Sequence, residues 1–153
     1  MTGCNSEASE SVNTQSAVTE ITFEVVHKND GMSSNPVFSS EGTESLRYAK
    51  VLHNQLAYEE ELAKYPEEQP RALNFNESSL VAINMGQKGS SGYSLSVSSV
   101  VEEDKYVLVN LLHNDPTSCV RLSVVTQPYL FVLINTKKPI LFSEQLNAPI
   151  VSC

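Results

Sequence analysis

Basic residues are scarce in this sequence, which has 10 lysines and arginines against 18 acidic residues and a formal net charge of -8. No cluster of lysine and arginine could neutralise a run of phosphates, which excludes nucleic acid as a partner. The same shortage excludes electrostatic docking on anionic lipid. Long apolar runs are missing too, since residues 129–134 are typical of the longest. A membrane-spanning helix needs roughly 20 apolar residues, so we expect no transmembrane segment.

Motifs for metal binding and catalysis are also absent. There is no CxxC or HxxxH spacing, and His27, His53 and His113 lie far apart in the sequence. Residues 89–92 read GSSG and lack the G-x-S-x-G spacing of a nucleophile elbow. Cys119 has no cationic neighbour in sequence that would favour a thiolate. We therefore predict a protein that is not an enzyme, with no catalytic residue, no metal and no cofactor.

Hydrophobic residues make up 41% of the 153 residues, enough for the core of one domain. They are concentrated after residue 20. Residues 1–20 are rich in serine, threonine, asparagine and glutamate, and such a segment cannot offset its ordering entropy. We predict a flexible polar tether over 1–20 and a single β-rich domain over 21–153.

The tether contains Thr2, Gly3 and Cys4, which look like the last three positions of a bacterial lipobox. In a lipoprotein this cysteine carries a diacylglycerol, whose buried methylenes each contribute about 0.8 kcal/mol to membrane anchoring. No charged or apolar leader precedes Cys4, so we expect the signal peptide to have been removed. The prediction is lipid attachment at Cys4 in a bacterial cell envelope, facing the periplasm or the cell exterior. The alternative is a chance cysteine in a polar tail.

Two further cysteines, Cys119 and Cys153, lie in the predicted domain. In an exported protein they would form a disulfide, and closing that loop would contribute on the order of 3 kcal/mol in the chain-entropy model. The alternative is one buried thiol and one frayed terminal thiol.

The pattern of the ordered part predicts an α+β fold. Residues 21–26 form a first strand, and a helix capped by Thr43 or Ser45 runs to about Tyr65. Its apolar positions Tyr48, Leu52 and Leu56 recur every four residues, which is typical of an amphipathic helix with glutamates 59–61 on the wet face.

After residue 79 the hydrophobic period changes to two, which predicts strands. We expect a mostly antiparallel sheet curled into a barrel or a sandwich, with the one helix near its N-terminal side. The predicted strands are 80–85, 93–98, 106–113, 121–126, 129–135 and 140–142.

The stretch 86–97, GQKGSSGYSLSV, resembles the glycine-rich hairpin of the PrcB family of protease-complex subunits. That family's pattern is close to G-x-K-P-T-G-G-Y-S-I-x-V, while residues 89–91 here replace Pro, Thr and Gly. A second segment, from Cys119 to Pro128-Tyr129, is similar to the family's C-x-V-T-Q-A-x-T-x-P-Y, although Ser123 and Val124 stand for Gln and Ala. The resemblance covers roughly residues 73–142. The matching residues of the first stretch are Gly86, Lys88, Gly92, Tyr93 and Ser94.

We interpret the predicted hairpin, residues 87–93, as a partner-binding element. Gly89 and Gly92 allow positive φ there and bring backbone amides to the surface. A rigid loop with few large side chains suits contact with another protein's groove or strand edge. The alternative is a plain β-turn whose glycines serve only its geometry. The predicted binding residues are Lys88, Ser90, Ser91 and Tyr93.

The resemblance implies an accessory protein that binds and stabilises a protein partner, a secreted protease being the first candidate. Membrane contact would be through the lipid anchor only. The alternative function is a protease inhibitor acting through residues 87–93, because the family's P-T-G-G hairpin is similar to the inhibitory loop of chagasin-type inhibitors. A third option, a module that binds a small molecule, has no residue in its favour.

Overall fold

The computed structural model describes residues 19–31 and 47–149. The described residues form eight β-strands and one α-helix. In chain order these are β1 Thr19–Glu20, β2 Phe23–Asn29, β3 Tyr48–Leu52, α1 Gln55–Leu62, β4 Ser79–Asn84, β5 Ser94–Glu102, β6 Val107–Asn114, β7 Tyr129–Ile134 and β8 Ile140–Asn147.

The strands form two four-stranded sheets. The outer sheet has the order β1-β5-β6-β8, and the central sheet has the order β2-β7-β4-β3. Every pair is antiparallel except β6 with β8, which is parallel. Apolar side chains of both sheets meet in one aliphatic cluster, so the architecture is consistent with the predicted sandwich. The mostly β prediction is confirmed, and the described strands are arranged as two sheets instead of one closed barrel.

The central sheet is covered on both faces, and therefore all six residues of β4 are buried. Alternate side chains of a strand point to opposite faces. Val81 and Val132 pack in the aliphatic cluster toward the outer sheet. Leu80 and Phe131 pack in a second cluster with Tyr58 and other residues of the helix layer.

The predicted helix was too long, because its first half is a strand. Tyr48–Leu52 pairs antiparallel with β4 at the edge of the central sheet. The helix begins after Asn54, whose side chain accepts a hydrogen bond from the amide of Ala57 at 2.8 Å. The proposed caps Thr43 and Ser45 lie outside the described residues.

The predicted faces of the helix were also wrong. Leu56 is 66% exposed, while Glu61, expected on the wet face, is 5% exposed. Glu61 is buried because Lys50, Lys64 and Tyr48 all bond to its carboxylate. Burying a carboxylate costs little free energy when this many donors bond to it. The pattern of apolar residues in the sequence does not reveal these donors, and so the burial of Glu61 was not predicted.

Two further predictions need correction. Residues 121–126 form no strand, and only Thr126 makes an isolated bridge, to Lys88. Thr19 and Glu20, the last two residues of the predicted tether, pair with Glu102 and Val101 of β5. Residues 1–18, which include Cys4, lie outside the described residues, and so the lipid attachment stays a prediction.

Candidate protein-binding site at the loop end

Two loops cross from one sheet to the other at the same end of the molecule. Loop 1, residues 85–93, joins β4 of the central sheet to β5 of the outer sheet. Loop 2, residues 115–128, joins β6 of the outer sheet to β7 of the central sheet. We call the two together the loop end. The predicted hairpin over 87–93 is therefore a crossover loop, because β4 and β5 do not pair with each other.

Hydrogen bonds tie the two loops together. Lys88 and Thr126 exchange two backbone hydrogen bonds, of 2.8 and 3.0 Å. The amide of Ser91 donates to the carbonyl of Leu122 at 3.0 Å, and the amide of Leu122 donates back to Ser91 Oγ at 3.0 Å. The hydroxyl of Thr126 donates to the carbonyl of Ser90 at 2.8 Å. Loop 1 is thus held by loop 2 and does not project as a free tip.

The four predicted binding residues all lie in loop 1 and are half-buried. Lys88 Nζ lies 5.1 Å from the centroid of the Tyr93 ring, within range of a cation–π contact. The Ser90 hydroxyl donates to the carbonyl of Ser91 at 3.2 Å. Because Ser91 is engaged with Leu122, its hydroxyl has a structural role, and the role of all four in partner binding stays a prediction.

Glycine geometry in loop 1 agrees in part with expectation. Gly92 has φ of 101° as predicted, whereas the second positive φ belongs to Gly86, at 85°, and not to Gly89. A Cβ on Gly92 would lie 2.8 Å from Cβ of Pro116 in loop 2. Only glycine allows both this backbone conformation and this approach of the two loops.

Loop 2 exposes three aliphatic side chains, a surface that was not predicted from the sequence; two of them, Leu122 and Val125, lie in the predicted strand 121–126. Val120 is 89% exposed, Leu122 is 64% exposed and Val125 is 40% exposed. Besides the bonds to loop 1, the amide of Val120 donates to Ser118 Oγ at 3.1 Å. Exposed apolar residues on a loop held by hydrogen bonds are typical of a protein interaction surface. The signal for this surface in the sequence was an alternation of apolar and polar residues in a segment that pairs with no neighbouring strand.

Cys119, in loop 2, is disulfide-bonded. The other cysteines of the chain, Cys4 and Cys153, lie outside the described residues. Pairing of Cys119 with Cys153 therefore stays a prediction. A disulfide at this position adds a covalent constraint to loop 2.

A group of polar side chains beside the loop end contact one another. His113 Nε2, the nearest imidazole in sequence to the loop serines, lies 3.2 Å from both Arg47 Nη2 and Glu144 Oε1. Burial of His113, followed by the charge of Arg47, lowers its pKa. Across the described residues, no group of three or more histidine, cysteine, aspartate or glutamate side chains could hold a metal. No described helix is long and apolar enough to cross a membrane.

The fold and this site define a class: a β-rich domain of two sheets, one end of which is a pair of joined crossover loops. Residues 79–135 match the family model described as PrcB C-terminal. Over this region the chain is similar to the PrcB family, which confirms the resemblance found in the sequence. The match begins at the first residue of β4 and ends just after β7, so it contains both loops. No curated protein and no solved structure matches the chain.

Proposed function

We propose that this protein is a non-enzymatic accessory subunit that binds and stabilises a protein partner through the loop end. The match of residues 79–135 to the PrcB C-terminal family supports a protease-complex partner, and a secreted protease is the first candidate. The binding surface consists of the exposed aliphatic residues of loop 2 and the polar residues of loop 1.

The observation that carries this proposal is the exposure of Val120 and Leu122 on a loop that is already ordered. Leu122 is fixed through both its amide and its carbonyl to Ser91. A loop held in one conformation loses little entropy when a partner binds, and therefore more of the contact energy appears as affinity. Burial of these side chains would contribute roughly 25 cal/mol per Å² of apolar surface.

We also propose that the protein is a lipoprotein of the bacterial cell envelope, attached through Cys4 with the signal peptide removed. A lipid anchor ahead of a polar tether would leave the loop end accessible to envelope or secreted partners. The disulfide of Cys119 supports an oxidising compartment, where such bonds persist. Mass spectrometry of protein from its native envelope tests this directly. A Cys4→Ser form that stays membrane-bound in cells would contradict it.

The alternative, inhibition of a protease by residues 87–93, has less support from the geometry. An inhibitory loop has to enter an active-site cleft with its central residues free. Here the backbone of Ser90 and the backbone and hydroxyl of Ser91 bond to loop 2. A panel of protease assays separates the two functions, because only an inhibitor lowers turnover at stoichiometric amounts.

Leu122→Asp tests the binding surface, and Leu56→Asp is its matched control. Leu56 has nearly the same exposure as Leu122, 66% against 64%, but lies on the helix. Each tagged variant would be used to capture protease-complex components from the native envelope, followed by quantitative mass spectrometry. We expect Leu122→Asp to lower their recovery at least tenfold and Leu56→Asp to leave it unchanged. Equal recovery with Leu122→Asp and wild type would refute the proposed surface.

A further inference from the structure

A pocket of about 250 Å³ opens between the two sheets beside loop 1. It lies at the side where β8 is the edge of the outer sheet and β3 is the edge of the central sheet. Arg47, directly before β3, bonds to Glu144 of β8 and so connects the two edges. The lining residues are Arg47, Met85, Lys88, His113, Asp115, Glu144, Gln145 and Leu146.

Three of the polar groups in this pocket satisfy one another. Glu144 accepts from Arg47 through one carboxylate oxygen, while its other oxygen lies 3.2 Å from His113 Nε2. The hydrogen bond from Arg47 lowers the pKa of Glu144, so this carboxylate stays ionised. Burial keeps the pKa of His113 below its ordinary value, so the imidazole is neutral at pH 7. Glu144 therefore already has its counter-ion within the pocket.

Lys88 differs from these three groups. Lys88 is a half-buried residue, and its ammonium lies over the ring of Tyr93, at 5.1 Å from the centroid. Within the described part of the chain it forms no ion pair with a carboxylate. An ammonium has three donors, and an aromatic face satisfies none of them as a carboxylate oxygen would. Lys88 is thus the cation of the pocket whose N–H donors are available to a ligand.

We infer that this pocket binds the carboxylate of an acidic side chain of a partner protein, with Lys88 as its counter-ion and Arg47 beside it. The inference rests on the proposed function, because loop 1 forms part of the proposed binding surface and also supplies Lys88 to the pocket. Met85 and Leu146 line the pocket with apolar surface, which suits the methylene groups of a glutamate side chain.

The charged side chains of the pocket favour a ligand with one negative charge over a ligand with two. Arg47 and Lys88 are positive, and Asp115 and Glu144 are negative. These four charges sum to zero, and Arg47 pairs with Glu144 while Lys88 forms no ion pair with Asp115 in the described residues. One bound carboxylate would therefore leave the pocket with a single net negative charge, and it could pair directly with Lys88. A phosphate dianion would face the repulsion of both Asp115 and Glu144 with the same two cations.

The probe for this site is N-acetylglutamate with its α-carboxyl blocked as the N-methylamide, so that only the side-chain carboxylate remains. N-acetylglutamine blocked in the same way is its uncharged isostere and the control. With methyl-labelled methionine in the full chain, the Met85 signal reports binding by NMR. We expect a saturable shift at millimolar blocked N-acetylglutamate and at least tenfold weaker binding of blocked N-acetylglutamine. Lys88→Met should weaken binding of blocked N-acetylglutamate at least fivefold, Lys88→Arg should retain it, and Lys105→Met, at an exposed lysine, should leave it unchanged.

Equal binding of the two probes, an unchanged Lys88→Met variant, or tighter binding of inorganic phosphate would each overturn the inference. A failure of the proposed function would give a different combination of results for partner capture and probe binding. If Leu122→Asp keeps partner capture while Lys88→Met loses it, the loop 2 surface is wrong and the pocket stands. If Lys88→Met loses binding of blocked N-acetylglutamate but captures the partner at wild-type yield, the pocket is not where the partner's acidic side chain binds.

Discussion

The interior of the central sheet and the loop end are built in different ways. In β7, Leu130 and Phe131 are each buried by many neighbours, on opposite faces of the sheet. At the loop end, individual contacts decide the structure, such as the close approach of Gly92 to Pro116 and the bonds of Ser91 to Leu122. In the interior, the loss in the free energy of unfolding should therefore increase with the side-chain volume that a substitution removes. At the loop end, the loss should depend on which individual contact is removed.

The largest effect is expected in the interior, for Phe131→Ala. Phe131 is fully buried, and its ring contacts those of Tyr58, Tyr65 and Tyr129. We expect a loss of about 3–5 kcal/mol in the free energy of unfolding, because both transfer energy and packing are lost. Urea denaturation measures this.

Leu130→Ala is the control on the opposite face of the same strand. It should cost about 2–5 kcal/mol, with little change in the near-ultraviolet circular dichroism of the tyrosines. Phe131→Ala should change that signal in the folded state. An unchanged tyrosine signal in Phe131→Ala would contradict the aromatic packing described for the helix layer.

The second prediction compares two glycines of loop 1. Gly92→Ala should lower the free energy of unfolding by about 1–3 kcal/mol, because its positive φ and the contact with Pro116 both oppose a Cβ. A Cβ on Gly89 meets nothing within 4 Å, so Gly89→Ala should be neutral or slightly stabilising. Thermal unfolding of both variants makes the comparison. Equal losses would mean that the loops are not held at Gly92.

The difference between the buried interior and the loop end explains which parts of the fold could be predicted from the sequence. Strands β4 to β7 were predicted to within a few residues, because burial leaves a repeated pattern of apolar residues. The helix boundary was wrong because Tyr48 and Leu52 fit both a helical spacing and an edge strand. What decides between them is the antiparallel pairing with β4, which is a long-range contact.

The candidate site was predicted less well than the fold. Lys88 and Tyr93, both predicted to bind a partner, contact each other, but the residues that loop 1 contacts in loop 2 lie some 30 positions away in the chain. Leu122 and Val125 were assigned to a strand, 121–126, because apolar and β-branched residues in a short run are typical of a half-buried strand. Whether an apolar residue is buried or exposed depends on a partner strand, which the local sequence does not contain.

The third prediction concerns the polar network on the helix face of the central sheet. Burial of Glu61 opposes its ionisation, but the hydrogen bonds from Lys50, Tyr48 and Lys64 outweigh burial, and its pKa is lowered. A lowered pKa stabilises the fold above the pKa of the unfolded state, and this contribution is lost as the pH falls through the folded value. Glu61→Gln should cost about 1–2 kcal/mol at neutral pH, since the lysines are partly exposed and screened.

The measurement is the free energy of unfolding from pH 7 to pH 3. Wild type should lose stability below the ordinary pKa of a glutamate, 4.5, and Glu61→Gln should lose less. Glu144 also has a lowered pKa, so part of the acid dependence should remain in the variant. Parallel curves for the two proteins would contradict the described role of Glu61.

The smallest effect is expected for Ser91→Ala, and it is the sharpest test of how the loop end is held. The change removes the side-chain acceptor of the Leu122 amide and should cost about 0.5–1.5 kcal/mol. Ser90→Ala is the matched control, because the Ser90 hydroxyl donates only to a neighbouring carbonyl at 3.2 Å, and it should cost less. Hydrogen exchange should show faster exchange of the Leu122 amide in Ser91→Ala than in Ser90→Ala, with the amides of β7 unchanged in both. If the Leu122 amide exchanges at the same rate in the two variants, the Ser91 hydroxyl does not hold loop 2, and the loops are held by their other hydrogen bonds, such as the backbone pairing of Lys88 with Thr126.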